Sequence, residues 1–352
     1  MTVTYHSGRR LQGLDADRTA TQLPAGAVGG WVELGRTTLG SAGDTITVSS
    51  LPNKRYYMIL QNDVSTSRST SIAQNLRLGN GSIDTGNNYS NRLSDDGTSD
   101  LTLANQSMIY TGSNSPTFNV AYIANYSSKE KLVISHNVDQ NTAGAGTAPS
   151  RRETVGKWAN TSNPIDIIQT YNNGAGDLPT GSELVVLGYD PADTHTTNFW
   201  QELASVEASG TVTSLDTGTF TAKKYLWIQC FMKLSGSPSL LPTFNNDSGS
   251  NYSFRYSDNG GADSTATSQT NIGTLNQGYS NTFTNIFVIN NQSNEKLCLV
   301  NGMNQNTAGA GNAPVRRELV AKWANTSNQI TSFKVSGSSI ASGSKIKVWG
   351  AD

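Results

Sequence analysis

The residues in this chain best suited to specific contacts are two arginine pairs. Arg151–Arg152 and Arg316–Arg317 sit in near-copies of one segment. The first copy, "NTAGAGTAPSRRETVGKWANTSN", runs from Asn141 to Asn163; the second, "NTAGAGNAPVRRELVAKWANTSN", runs from Asn306 to Asn328. A guanidinium is a planar fork of donors that fits carboxylates and carbonyls, the usual chemistry of protein–protein recognition. Trp158 and Trp323 are large enough to anchor either a core or an interface. Gly and Ala in "TAGAG" permit close packing and unusual backbone angles, and the following "AP" stiffens the exit. The segment can also be read as a cap on its own domain, with Trp in the core and Arg satisfying loop carbonyls. Near-identity at the polar positions Asn141, Thr142, Asn160 and Thr161 favours contact of both copies with a repeated partner surface.

Other chemistries find little support. The three histidines, His6, His136 and His195, have no Cys or second His at metal-ligand spacing. The loop "NTAGAG" lacks the Lys-Ser/Thr ending of a phosphate loop and leads into no helix, and no GxSxG elbow occurs. Acidic turns at Asp95/Asp96 and Asp258/Asp263 could hold calcium, although Asp- and Gly-rich hairpin turns are the commoner reading. Glu153 and Glu318 stand beside the arginine pairs, where structural ion pairs are expected. No catalytic, cofactor or metal site is therefore expected, and the chain is read as a non-enzyme.

The elements that must carry these segments are written twice. Between Gln140–Asn163 and Gln305–Asn328, 20 of 24 positions are identical. Earlier anchors recur in order: "WVELG" and "WQELA", "KRYYMI" and "KKYLWI", "DTGNNYSNRLSDDG" and "DSGSNYSFRYSDNG", "KEKL" and "NEKL". Both copies close alike, with "GSELVVLG" and "GSKIKVWG". This pattern marks tandem duplication of a domain. The units span 29–189 and 198–352, joined by a linker at 190–197, and an arm at 1–28 has no counterpart. Arg9 and Arg10 in that arm are further candidate assembly contacts.

Within each unit the apolar residues recur with a period near two, as in "DTITVSSL", "TFNVAYIAN" and "TFTNIFVIN". Turn-rich stretches such as "DDGTSD" separate about eight short strands per unit, with no convincing helix. An antiparallel β-sandwich, best matched to a jelly-roll, is the expected closure, giving an all-β chain.

Composition narrows the partners. The 352 residues carry a formal net charge of -1, and charged residues make up only 14%. Nucleic-acid binding needs a concentrated basic surface, so it is not expected. "MTVTYHSGRR" holds no apolar stretch of signal-peptide length, and no segment is long enough to span a membrane. Synthesis in a cytoplasm and no membrane partner are the expectations. Cys230 and Cys298 fall at unmatched places in the repeat and are read as separate buried thiols.

The closing stretch Ser342–Gly350, its counterpart Thr180–Gly188, and "KWANTSNQITSFKV" ahead of the former resemble the last strands of β-sandwich structural proteins of tailed phages and related virions. The resemblance covers the last third of each unit and transfers no functional residue. It implies a virion structural protein, chiefly a capsid decoration or other surface component, localised to the virion. Its partners would be identical subunits, as a trimer or higher, and other virion proteins. A double jelly-roll capsid subunit is one alternative. A carbohydrate-binding or adhesin module is another, with Tyr89 and Tyr252 as candidates to stack on glycans.

Overall fold

A computed structural model describes residues 30–352, apart from 67, 113, 115, 191–192, 194–197, 235, 237–238 and 276–280. Arg9 and Arg10 lie outside the described residues.

The first lobe holds β1 (Val32–Thr38), β2 (Thr45–Val48), β3 (Tyr56–Asn62), β4 (Gln74–Asn80), β5 (Ser82–Ile83) and β6 (Tyr89–Asp95). It continues through β7 (Leu101–Gln106), β8 (Thr117–Ala124), β9 (Lys131–Asp139), β10 (Ser150–Trp158), β11 (Ile167–Asn172) and β12 (Glu183–Tyr189). The second holds β13 (Gln201–Glu207), β14 (Val212–Asp216), β15 (Tyr225–Lys233), β16 (Leu241–Phe244), β17 (Tyr252–Asp258) and β18 (Ser264–Gln269). Its last five are β19 (Asn281–Ile289), β20 (Lys296–Asn304), β21 (Val315–Trp323), β22 (Phe333–Ile340) and β23 (Lys345–Ala351).

Each lobe is an antiparallel sandwich of one large and one small sheet. The large sheets have eight strands, ordered β1-β12-β3-β8-β9-β10-β6-β7 and β13-β23-β15-β19-β20-β21-β17-β18. These orders match strand for strand, as duplication requires. Small sheets β2-β11-β4-β5 and β14-β22-β16 cover one face of each. The described strands outnumber the eight per unit that the apolar clusters mark out. The surplus includes β7, "LTLANQ", whose outward face is polar and whose pattern is too weak to register as a strand.

Each lobe has its own core, in which Ile46, Leu76, Leu78 and Ile168 of one small sheet meet Tyr57, Ile59 and Val186 of the large sheet. A third cluster joins the outer faces of the two large sheets, with Leu60, Phe118, Val120 and Val138 against Phe287, Leu297, Leu299 and Val320. The layers therefore run small, large, large, small. Central strands buried on both faces lose their alternation and become continuous apolar runs. In β3, Tyr57 and Ile59 face their own lobe, while Met58 and Leu60 face the other. In β12, Leu184 and Val186 point one way, and Val185 and Leu187 the other.

Candidate assembly interface

The duplicated segment lies at the lobe contact, where the first copy contributes its loop and arginine and the second contributes Glu318 and Lys322 from its strand. Asn141 adopts φ 59 and Gly144 φ 87, left-handed values that Asn and Gly tolerate, and they fold the loop back on itself. The Asn141 side-chain amide closes the loop by donating to Ala148 O at 3.2 Å. So shaped, the loop turns its backbone toward the second lobe. Lys322 Nζ donates to Gln140 O at 3.0 Å and also to Thr142 O. Glu295 accepts from Gly144 N, and Ser268 N donates to Ala145 O at 2.8 Å. Ser253 Oγ and Arg255 Nε reach Thr147 O and Pro149 O at 2.9 and 3.0 Å. Recognition thus reads loop shape rather than side chains. Lys322 is fully buried, and burial pulls its ammonium below the ordinary lysine pKa against the opposing pull of Glu295, 3.6 Å away.

Arg151 carries the charge at this junction. On β10 it pairs with Glu153 of its own strand at 2.7 Å, then crosses to Asp263 at 2.7 Å and Glu318 at 3.2 Å in the second lobe. Burial lowers its pKa, and these carboxylates outweigh that, leaving the guanidinium above its ordinary value. Burial pushes the Glu153 carboxyl up, with Arg151 opposing. His136, Glu153, Asn301 and Glu318 line a small cavity beside Arg151. A return contact runs from Arg255 to Asp96 at 3.1 Å. At the far side of the sheets Glu183 accepts from Tyr225 at 2.7 Å and pairs with Lys224 at 3.0 Å, while Asn291 donates to Asn62 at 3.2 Å.

The remaining sequence-selected residues stay within their lobes. Arg152 forks onto Asp95 and donates to Gly112 O. Arg317 does the same with Asp258 and Thr274 O, and lies over the Tyr256 ring. Trp158 and Trp323 are core residues, each stacked on a tyrosine and donating from Nε1 at 2.7 Å to Asp84 or Asp247. Those tyrosines are Tyr89 and Tyr252, which are buried and present no face to a sugar. Arg316 is exposed and rests 3.5 Å from Glu318. Asp95, Asp96, Asp258 and Asp263, weighed as calcium ligands, are engaged by arginines. Among the described residues no three His, Cys, Asp or Glu side chains gather as a metal site. Cys230 and Cys298 are free and buried, and burial pushes both thiols up.

Asn160 and Asn325 also have a local reason to recur. Each accepts from two backbone amides of the next turn. The carbonyl of each accepts from a buried lysine, Lys131 or Lys296. Sequence reasoning missed Lys322, Glu295, Ser253 and Arg255, and weighed Asp263 only as a calcium ligand. The first four lie in repeated stretches, so the signal was their recurrence.

No family model matches the chain, and no curated protein matches it. Among solved structures, mouse laminin alpha1 chain, domains LG4-5, is similar over 94% of this chain and 92% of that one, at 9% identity and a TM-score of 0.19. A score so low supports no statement about the fold or ligands of this chain.

Proposed function

We propose that this protein is a structural subunit that assembles through its β-sandwich lobes, as a component of a virion surface. The observation that carries the reading is the use made of the first duplicated segment. Its loop and Arg151 are spent on binding another copy of the same kind of lobe. A contact that reads backbone shape and buries an ion-pair cluster serves construction. The likeness of the closing strands to tailed-phage structural proteins supports the virion setting. The glycan-binding alternative loses the two tyrosines offered for it, because both are buried.

Quantitative peptide mass spectrometry on particles purified from the native source tests the reading. Copies in fixed stoichiometry with a shell protein are expected. A chain that stays in the soluble fraction, absent from any particle, would contradict it.

A further inference from the structure

The contact between the lobes is head-to-tail. The first lobe contributes the cross-strand row Asn62, Phe118, Val138 and Arg151. The second contributes a different row, Phe287, Leu299, Val320 and Arg255. Each lobe therefore leaves part of its large sheet uncovered where the other is covered, although Tyr122, the counterpart of Phe287, also packs against the shared cluster.

The uncovered parts keep large apolar side chains. In register, the row Asn62–Phe118–Val138–Arg151 recurs as Phe231–Phe283–Met303–Arg316. Phe118 and Val138 are 1% and 0% exposed, whereas Phe283 and Met303 are 40% and 42% exposed. The row Phe287–Leu299–Val320–Arg255 recurs as Tyr122–Ile134–Val155–Arg92. Leu299 and Val320 are 3% and 2% exposed, whereas Ile134 and Val155 are 52% and 50% exposed. Large apolar side chains gathered this way on an otherwise covered sheet mark an interaction surface.

The polar parts recur as well. The loop that begins at Asn306 repeats the shape of the first, with Asn306 at φ 57, Gly309 at φ 100, and the Asn306 amide donating to Ala313 O at 3.1 Å. Ala148 and Pro149 are buried against the second lobe, while Ala313 and Pro314 are exposed. The receptor for that loop is present on the first lobe: Lys157 pairs with Glu130 at 2.9 Å where Lys322 meets Glu295. Ser90 and Arg92 stand where Ser253 and Arg255 do. Asp100, exposed and 3.5 Å from Arg92, occupies the place of Asp263. One pair has changed chemistry on both sides together. The hydrogen-bonded Asn62 and Asn291 correspond to Phe231 and Tyr126, both aromatic and both exposed.

We infer that the second lobe of one chain docks on the first lobe of the next, repeating the contact made within the chain. The occupant of both exposed surfaces is a second copy, and the inference deepens and rests on the assembly reading. A heterologous contact has no two-fold axis to stop it, so chains add until a ring closes or a filament grows.

Sedimentation of the intact chain, with Ile134→Glu on one surface and Met303→Glu on the other, tests this. The wild-type chain assembles and each variant alone is a monomer. An equimolar mixture forms a dimer and nothing larger, because one intact surface of each kind remains. Circular dichroism checks that the variants fold, as exposed positions should. Independently, a chain carrying Tyr126→Cys and Phe231→Cys forms a covalent ladder or closed ring under oxidation that neither single variant forms. Wild-type oligomers indifferent to both glutamates, without the ladder, would overturn this docking and leave the assembly reading standing. A chain that stays monomeric at every concentration and forms no ladder would overturn both.

Discussion

Arg151 Nη2 lies 2.7 Å from Asp263 Oδ1, joining residues 112 positions apart on different lobes. The Asp263 side chain is 2% exposed, so this pair is sealed from water on both sides. Its repeat counterpart, Arg316, lies in the open. One arginine written twice thus has two environments, and the difference gives the lobe contact its direction.

Removing Arg151 should be far more damaging than removing Arg316. Arg151→Ala removes the closest cation from the buried Asp263, leaving it only Arg255 at 3.9 Å, and breaking a buried pair in this way typically destabilises by about 3–5 kcal/mol. In the isolated chain Arg316→Ala should fall within about 0.5 kcal/mol of wild type, as exposed substitutions do. Urea denaturation at a concentration where the chain is monomeric compares the two.

A parallel asymmetry is expected for the lysines. Lys322→Met removes the donor to Gln140 O and Thr142 O, bonds from a charged group worth about 1.5–3 kcal/mol each. Lys157→Met breaks a half-exposed pair with Glu130, which should contribute no more than about 1 kcal/mol. Thermal melts of both variants check the ordering.

The tryptophans should report on folding rather than on assembly. Trp158→Ala opens a cavity in the first core and should lose about 3–5 kcal/mol. Trp158→Phe keeps most of the volume but abandons the Asp84 carboxylate, which that indole helps hold below its ordinary pKa against burial. The Phe variant, if folded, should assemble like wild type when followed by light scattering.

The lobe contact should weaken in mild acid through His136. Burial holds its imidazole below the ordinary pKa, with Glu318 opposing and Arg151 adding to the effect. An unfolded imidazole takes up its proton near pH 6.5. The contribution of the neutral ring is therefore complete above about pH 6.5 and is lost as pH falls toward its folded value. Glu153, raised chiefly by burial, acts in the opposite sense at lower pH. His136→Asn, the residue found at Asn301, should flatten the loss as pH falls below about 6.5. Stability measured by denaturant titration across that range reads the difference.

Much of the fold was legible because duplication and alternation are local signals. "TFNVAYIAN" and "TFTNIFVIN" announce β8 and β19 directly. The polar strands β7 and β18 were not legible, since neither "LTLANQ" nor "STATSQ" buries a stripe of side chains. Back-to-back packing left a trace in "YYMIL" and "LVVL", apolar at both parities, which a one-faced sheet would not need. The direction of the contact had no such trace. Ile134 and Leu299 are equally apolar, and nothing in either residue says which is covered.

The most direct measurement is a cryo-electron microscopy reconstruction of the purified oligomer at the junction between chains. The account predicts Phe231 of one chain against Tyr126 of the next, with the Asn306 loop seated over Glu130 and Lys157 as the Asn141 loop sits over Glu295 and Lys322. A two-fold junction that pairs like surfaces, with the Asn306 loop left in solvent, would contradict it.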